Sequence, residues 1–516
     1  MNTILSLYPR HDANLTVTHG NTIIKYLEFE KIAKKRHFAF SESKDGFLKQ
    51  FRELALPYLD SNSVSEIIIN WANIEQLNAL KVIFPHVGKW TFVNHHISHV
   101  WSAYAFTNPE EFDLIISYDG GGDLDDYFKI FEYRTGKINL ILDLKVNLGK
   151  PYRLIGLLSE ELYKERTEVY PMDRDLAGKI MALQALGTVR KEFINPIHDF
   201  YSDFMLSDEK LAFRNLLDKI GFEDKDFLPL KEARDIMSTA QFVFEKIYEQ
   251  YVYPFLETGR YKRLIVVGGC ALNVTTNSKT HTKFKIPIFI PPCPNDSGIS
   301  IGIQKMMYPS LSLLDKPYAD LPVLNKGILA QPIEKLTSRK ISIKGLAELI
   351  ASGKIIGTIV EPIEIGPRAL GNRSYLANPL INGMKNRMNT IKGREFWRPV
   401  APIITIDCLG KYFKTTQNSP YMTFAPIVQD EYKQKLNEVL HYDSTARIQT
   451  VTKKDGWIYE LVKEVGKITG YELIMNTSFN KKGAPLINDI KDALELLLTT
   501  DLDGVLIEND YYEKIL

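Results

Sequence analysis

The chain has 516 residues, 45% of them hydrophobic and 25% charged, and Lys+Arg 64 against Asp+Glu 63 leaves a net charge of +1. That length exceeds one ordinary core and predicts roughly two to four domains of ordinary soluble composition. The near-neutral balance excludes a global field that recruits nucleic acid or anionic membrane, though a local basic groove remains compatible with it.

The N-terminal stretch "MNTILSLYPRHD" has no basic leader before an apolar core, which argues against a signal peptide. No apolar run approaches the ~20 residues of a membrane helix. Cys270, Cys293 and Cys408 are far apart and form no CxxC, so neither a disulfide framework nor a zinc ribbon is expected, and a reducing cytoplasm is the simplest setting.

In chain order, "NLTVTHG" and "NTIIKYLEFE" read as a hairpin. "SEIIINW" and "FDLIISYDGGGD" read as buried strands, the second running into a glycine turn. "YFKIFEYRTGKINLILDLKV" predicts a further hairpin that turns at Thr135-Gly136. From about 155 to 260 the pattern becomes helical and charged. "KRLIVVGG" is a strand opening a second glycine turn, and "FKIPIFIPP" is a short strand that ends in "CPNDSGISIGIQ". The Pro- and Leu-rich text between about 308 and 345 reads as an inter-domain connection. After it, "SIKGLAELIASGKIIGTIV" predicts a helix ending at Ser352-Gly353, then a strand, and a second α/β unit to the C-terminus. No internal repeat is visible.

Three patterns carry chemistry. In "VNHHISHVWSAYAF", His95 and His99 are four apart and share a face if helical. Alone, that spacing is more often an ordinary helix start than a metal pair. Asp119, at the end of a buried strand, and Asp296, in a turn before a small-residue helix, change the weight. Two imidazoles and two carboxylates make a set suited to Fe(II), Mn(II) or Zn(II). Second, "DGGGD", "VVGGCALN" and "NDSGISIG" are strand-end glycine turns of the kind that let backbone amides approach phosphate. They point to nucleotide-binding domains of the actin and sugar-kinase architecture, with Gly120, Gly121, Gly268, Gly269 and Asn273 as candidate cofactor contacts. Third, Arg368, Arg373, Lys385, Arg387, Lys392, Arg394 and Arg398 crowd one segment with Glu395 as the only acid. Interleaved with Gly, Pro and aromatics, they draw no helical face and suit either a solvated surface or a concave anion site. Arg447 in "STARIQTV", and Asn476, Thr477 and Ser478 at the end of "LIMNTS", add polar groups able to bind phosphate or a carbamoyl amide.

The stretches "HHISHVWSAY", "DGGGD", "GKIMAL", "GGCALN", "PNDSGISIG", "GPRALGNRS", "IKGREFWRPVAP", "PYMTFAP", "STARIQTV" and "NTSFNKKGAPL" occur in one order over about residues 10 to 510. In this the chain resembles the O-carbamoyltransferases typified by the nodulation-factor, tobramycin and cephalosporin enzymes. The resemblance implies an α/β protein in two domains. Residues 1–325 would be an actin-like (ASKHA, threonylcarbamoyl-transferase-like) transfer domain with a metal site. Residues 326–516 would be an adenylate-forming domain similar to threonylcarbamoyl-AMP synthase. ATP with Mg²⁺ and carbamoyl phosphate would give carbamoyl-adenylate, and the carbamoyl group would pass to an acceptor hydroxyl at an iron centre. The implied metal ligands are His95, His99, Asp119 and Asp296. The implied adenylate site uses Arg368, Lys392, Arg398 and Arg447, with Met422, Asn476 and Ser478 lining it. His11-Asp12 and "KKRH" (34–37) match family positions near the transfer site.

Two stretches depart from the family: "AGKIMALQALG" has Ala177 and Ala182 where the family has an acid and a glycine, and "EFEK" stands for the family "EEER". The acceptor expected is a sugar, a natural product, or a hydroxymethylated pyrimidine nucleotide or DNA; a homodimer and no membrane partner are expected. The alternatives are a tRNA threonylcarbamoyl-type enzyme, a kinase of the actin and sugar-kinase class, and a nucleotide-binding scaffold.

Overall fold

The structure is a computed structural model that describes residues 3–122, 126–162, 175–204, 208–222, 227–319 and 321–515. The chain forms two compact units, one of residues 1–108, 291–440 and 446–516, the other of 109–290 and 441–445.

The first unit begins with a five-stranded sheet. β1 (Thr3–Tyr8), β2 (Asn14–His19) and β3 (Thr22–Glu28) form an antiparallel meander, and β4 (Val64–Ile69) and β5 (Lys89–Phe92) add in parallel on the other side of β1. Its central strands are mostly apolar and, apart from Ser65, buried, as expected of strands covered on both faces. The second unit repeats the plan. β6 (Asp113–Tyr118), β7 (Phe128–Arg134) and β8 (Lys137–Leu144) form the meander, and β9 (Arg263–Val267) and β10 (Ile288–Phe289) follow in parallel. The two sheets share strand order and direction, the duplicated plan of the actin-like expectation. No repeat is visible in the residues because alternation of apolar side chains, not their identity, specifies a strand. The other described elements of the second unit are helices, dominated by Leu230–Glu257, whose face from Ala233 to Tyr248 is buried.

Also in the first unit, the connection after residue 308 is pinned as it runs. Ser312 N–H donates to Asn21 O, and Leu314 N–H to Ala105 O. β11 (Tyr318–Ala319) then pairs with β14 (Ile363–Glu364). An eight-stranded mixed sheet follows, ordered β12 (Leu336–Lys340), β20 (Asp510–Lys514), β19 (Gly504–Ile507), β13 (Ile356–Ile359), β15 (Ser374–Ala377), β18 (Leu473–Ser478), β16 (Ala401–Thr405) and β17 (Gln449–Val451). Alternate residues feed two cores. Ile359, Leu473 and Met475 join one with Met384, Met388 and Leu497, while Ile356 and Ile474 join the other with Leu346, Leu461 and Val465. Lys34 holds the first sheet's lobe to this one through Asp489, 2.6 Å away, at the N-terminus of the helix Ile490–Thr499.

The helix His95–Tyr104 packs along the helix Ile299–Met307, and Gly302 makes that approach possible, since a Cβ there would overlap the Ser98 carbonyl. Gly302→Ala is expected to cost about 1–3 kcal/mol by overpacking. Gly410→Ala, at an open helical glycine, should leave the melting temperature unchanged or raise it. Calorimetry of the two variants checks both.

Candidate functional site

Asn94 caps the helix His95–Tyr104 by accepting from Ile97 N–H, so the helix starts at His95 and places His95 and His99 one turn apart. Asp296 sits in the single turn that precedes Ile299–Met307. That second helix is tied to the first sheet by buried polar contacts. Ser300 N–H donates to Asn14 Oδ1 at 2.9 Å, the Ser300 and Thr16 hydroxyls meet at 2.7 Å, and Gln304 Nε2 donates to Ile4 O at 3.0 Å. Asn14 Nδ2 also donates to the Asp296 carbonyl at 2.8 Å.

The two helices thereby bring three ligand-type atoms together. His95 Nε2 lies 3.1 Å from His99 Nε2, and Asp296 Oδ1 lies 3.5 and 3.4 Å from them. Three atoms so spaced share a point about 2 Å from each, the bond length of a first-row divalent metal to imidazole or carboxylate. The side chains are 1%, 0% and 3% exposed. The supports fit as well. His95 Nδ1 faces Asn70 Oδ1 at 3.2 Å, and Asn70 Nδ2 donates to Val93 O, which fixes the amide and leaves His95 Nε2 as the lone-pair nitrogen. Asp296 Oδ2 accepts from Tyr8 Oη at 2.5 Å and lies 3.2 Å from His11 Nε2. Burial alone pushes the Asp296 carboxyl up, but the facing His95 and His99 rings overcome it and hold it well below the usual carboxylate range. His96 is buried beside the pair, its ring 6.3 Å from that of His99. Asn70 and Tyr8 carried no sequence signal, since each lies within or just past an ordinary strand.

Asp119 belongs to the second unit, one residue past β6. Its Oδ2 accepts from Gly269 N–H at 2.5 Å and its Oδ1 from Gly121 N–H at 3.3 Å. Gly268 has φ +89°, and a Cβ there would overlap the Tyr118 carbonyl, so the two glycine turns close on each other. Gly120 lies against the backbone of Gly149 and Lys150. Asn273 caps the helix Val274–Phe284 and bonds Gln241. Asp123 of "DGGGD" lies outside the described residues.

The basic block forms a second centre, in the first unit. Lys392 Nζ, 6% exposed, donates to Ser478 O, to Ser478 Oγ at 3.2 Å and to Asn480 Oδ1 at 2.6 Å. Burial pushes the Lys392 ammonium well down, and Arg394, Arg398 and Arg36 add to it. Burial and Arg398 act the same way on Arg394 and Arg447. Guanidinium does not deprotonate in practice, so a desolvated cluster of cations is relieved by an anion. Asn476, on β18, donates through Nδ2 to Ala369 O at 3.0 Å and Gln449 Oε1 at 2.9 Å. Its buried Oδ1 has no partner among the described residues, which leaves an acceptor for a ligand N–H. The Ala369 contact places the loop carrying Arg368 beside this strand. Met422 is buried with Leu370 and Ala401 and has φ +58°, a conformation costly for a long side chain. Arg447 lies two residues before β17, and Asn476 to Ser478 close β18.

Within the same unit a cleft of about 590 Å³, including its open mouth, reaches Asn295 and Ser297, which flank Asp296, and Ser478 and Asn480, which accept from Lys392. Asp12, His37, Asn295 and Ser297 line one side, and Gly366, Pro367, Ser478 and Asn480 the other, with Arg36 among them. Asp12 Oδ1 lies 2.7 Å from His37 Nδ1, and its Oδ2 accepts from Asn295 Nδ2 at 3.3 Å. Glu30 accepts from His37 N–H at 3.1 Å, and burial, then Asp12 and Glu28, push its carboxyl up.

His95→Ala is expected to abolish metal binding. Asn70→Ala is expected to weaken it about 10–100-fold by freeing the His95 ring. Metal analysis and chelator competition measure both. A bound anion favours charged Lys392, whose ammonium is otherwise held below the usual lysine range, so anion binding takes up a proton. Nucleotide affinity should therefore fall as pH rises through that depressed value, and Lys392→Met should flatten the dependence in titration calorimetry.

Residues 43–304 match the family model described as Carbamoyltransferase N-terminus, and residues 347–514 that described as Carbamoyltransferase C-terminus. Nodulation protein NolNO of Sinorhizobium fredii is 30% identical over 461 residues, 82% of this chain and 64% of that protein. The chain thus spans just under two thirds of that relative's length. Nodulation protein U of Azorhizobium caulinodans is 27% identical over 550 residues, 94% of each chain. The uncharacterized protein MJ1051 of Methanocaldococcus jannaschii is 27% identical over 553 residues, 99% of this chain and all of that one. Among solved structures, full-length HypF in its phosphate- and nucleotide-bound form aligns with a TM-score of 0.38 at 14% identity, over 60% of this chain and 56% of that one. No helix among the described residues is long and apolar enough to cross a membrane. With family models matched over both halves of its length, the chain belongs to the carbamoyltransferase family of enzymes.

Proposed function

We propose that the protein is an ATP- and carbamoyl phosphate-dependent O-carbamoyltransferase that makes carbamoyl-adenylate within residues 326–516 and transfers the carbamoyl group within residues 1–325. The observation that carries this reading is the cleft shared by the cationic pocket and the turn that bears Asp296.

At the cationic pocket, water attacks the phosphorus of carbamoyl phosphate and the bond from that phosphorus to the carbamate oxygen breaks, which leaves carbamate and inorganic phosphate. The carbamate oxygen bonds to the α-phosphorus of ATP, and the bond to pyrophosphate breaks. Lys392, Arg368, Arg398 and Arg447 hold the phosphates and offset the charge that builds on the leaving pyrophosphate. Asn476 Oδ1 accepts a ligand N–H, and Ser478 holds Lys392 in place. Mg²⁺ accompanies ATP. At the second centre the acceptor oxygen bonds to the carbamoyl carbon as the carbon–oxygen bond to AMP breaks. A divalent metal, Fe(II) by family resemblance, would be held by His95, His99 and Asp296, with Asp119 as the fourth ligand that the resemblance implies; when bound, it polarises the carbamoyl oxygen. Asn70 and Tyr8 keep the ligands aimed. Of the strand-end glycines, Gly120 and Gly268 would offer backbone amides to phosphate, while Gly121 and Gly269 donate theirs to Asp119. The acceptor is a hydroxyl of a sugar, a natural product or a hydroxymethylated pyrimidine.

Purified protein given ATP and carbamoyl phosphate should exchange pyrophosphate into ATP only when both are present. Arg447→Ala should lower that exchange at least about 100-fold, as loss of an electrostatic contact to a transferring phosphate does. His95→Ala should spare the exchange and abolish carbamoylation of a panel of alcohols, read by mass spectrometry. Exchange independent of carbamoyl phosphate would refute the reading.

A further inference from the structure

Glu28, Phe29, Glu30 and Lys31 form the stretch that departs from the family pattern, and two of them carry a buried ion pair. Glu28 is 5% exposed and Lys31 2%. Lys31 Nζ pairs with Glu28 Oε2 and also donates to the Glu364 carbonyl. Glu28 Oε1 accepts from Gly366 N–H at 2.6 Å. The Tyr26 hydroxyl lies between Glu28 Oε1, at 2.9 Å, and the Ser297 carbonyl, at 2.7 Å.

Each end of this network meets a reaction centre. Ser297 follows the metal-ligand candidate Asp296. Glu364 and Gly366 open the loop that carries Arg368. That loop is closed on itself, since Glu364 Oε1 accepts from the backbone N–H groups of Leu370, Asn372 and Arg373 at 2.8, 2.9 and 3.0 Å. A loop tied so tightly keeps its own shape, and the Asn476 contact to Ala369 holds Arg368 and Ala369 beside β18, so the grip of Glu28 and Lys31 at its start sets how closely the loop lies against the Asp296–Ser297 turn. Gly366 has φ +89°, and a Cβ there would overlap the Pro292 carbonyl, so the loop lies hard against the segment that leads to Asp296. Burying an ion pair contributes little net stability, whereas it fixes one register among several.

We infer that Glu28 and Lys31 are positioning residues that lock the Arg368 loop to the Asp296–Ser297 turn, closing the route from adenylate to acceptor against water. This rests on the two-step reading above. Without the lock the adenylate site still forms, but water reaches the intermediate: the water oxygen bonds to the carbamoyl carbon, AMP departs, and the carbamic acid falls apart to carbon dioxide and ammonia.

The test uses the full chain with ATP and carbamoyl phosphate and no acceptor. Glu28→Leu with Lys31→Met removes both charges together, so that no lone charge stays buried, and a thermal melt verifies folding. Acceptor-free release of AMP and ammonia should rise about tenfold, the scale on which a small misplacement acts. Carbamoyl phosphate-dependent pyrophosphate exchange should stay within about twofold of the parent, since transition-state contacts of the first step are kept. Lys31→Arg, which keeps the pair, should behave as the parent in both assays. An unchanged AMP release in the double variant overturns the inference. So does a parallel fall of exchange and AMP release, which marks a merely structural role. Absence of exchange in the parent protein would instead count against the two-step reading itself.

Discussion

The close approach of two helices at Gly302 is the constraint on which the His95–His99–Asp296 triangle, the candidate metal centre, depends. One helix carries His95 and His99 a turn apart; the turn before the other carries Asp296. With a side chain at position 302 the helices separate, and three ligand atoms now 3.1 to 3.5 Å apart would lose their common point. Everything around the pair keeps it from sliding. Asn14, Thr16 and Gln304 tie the second helix to the sheet, and Asn70 sets the tautomer of His95. These are buried polar contacts, weak in net stability and strict in geometry. A site built on two rigid helices needs that strictness more than it needs added stability.

The cationic pocket follows the opposite logic. Lys392 and its arginine neighbours are held close together at a cost of burial and mutual repulsion that a bound anion would relieve. The neutral acceptors of Ser478 and Asn480 orient Lys392 without cancelling its charge. Such a pocket suits an anion, and on the reading proposed above it gains most where the phosphate charge is greatest.

Much of this was legible in the residues. The HxxxH spacing, the strand-end aspartates and the basic block each have a local signature, because helix period, strand termination and charge density are read within a few positions. The hairpins at Gly20-Asn21 and Thr135-Gly136 and the helix ending at Ser352 also appear as read. Less was legible where partners are remote. Asn70 reads as the polar end of a strand, and Tyr8 as a strand residue. "EFEK" reads as an eroded motif, although Glu28 and Lys31 hold a loop more than 330 positions away. The duplicated sheet leaves no repeat in the text, since two strands can share a place in a fold while sharing only their alternation.

The sequence by itself determined the α/β class and the family, and it marked the residues proposed here to bind metal and anion. These rest on local periodicity and on motifs a few residues long. Only the tertiary structure decided which of those residues meet. It set His95, His99 and Asp296 in one triangle, gathered Lys392, Ser478 and Asn480, and opened a cleft that reaches the neighbours of Asp296 and the partners of Lys392 within one compact unit. The reason is physical: a ligand set and a charge cluster are defined by separations of a few ångströms, and chain positions hundreds apart acquire such separations only when helices and sheets pack.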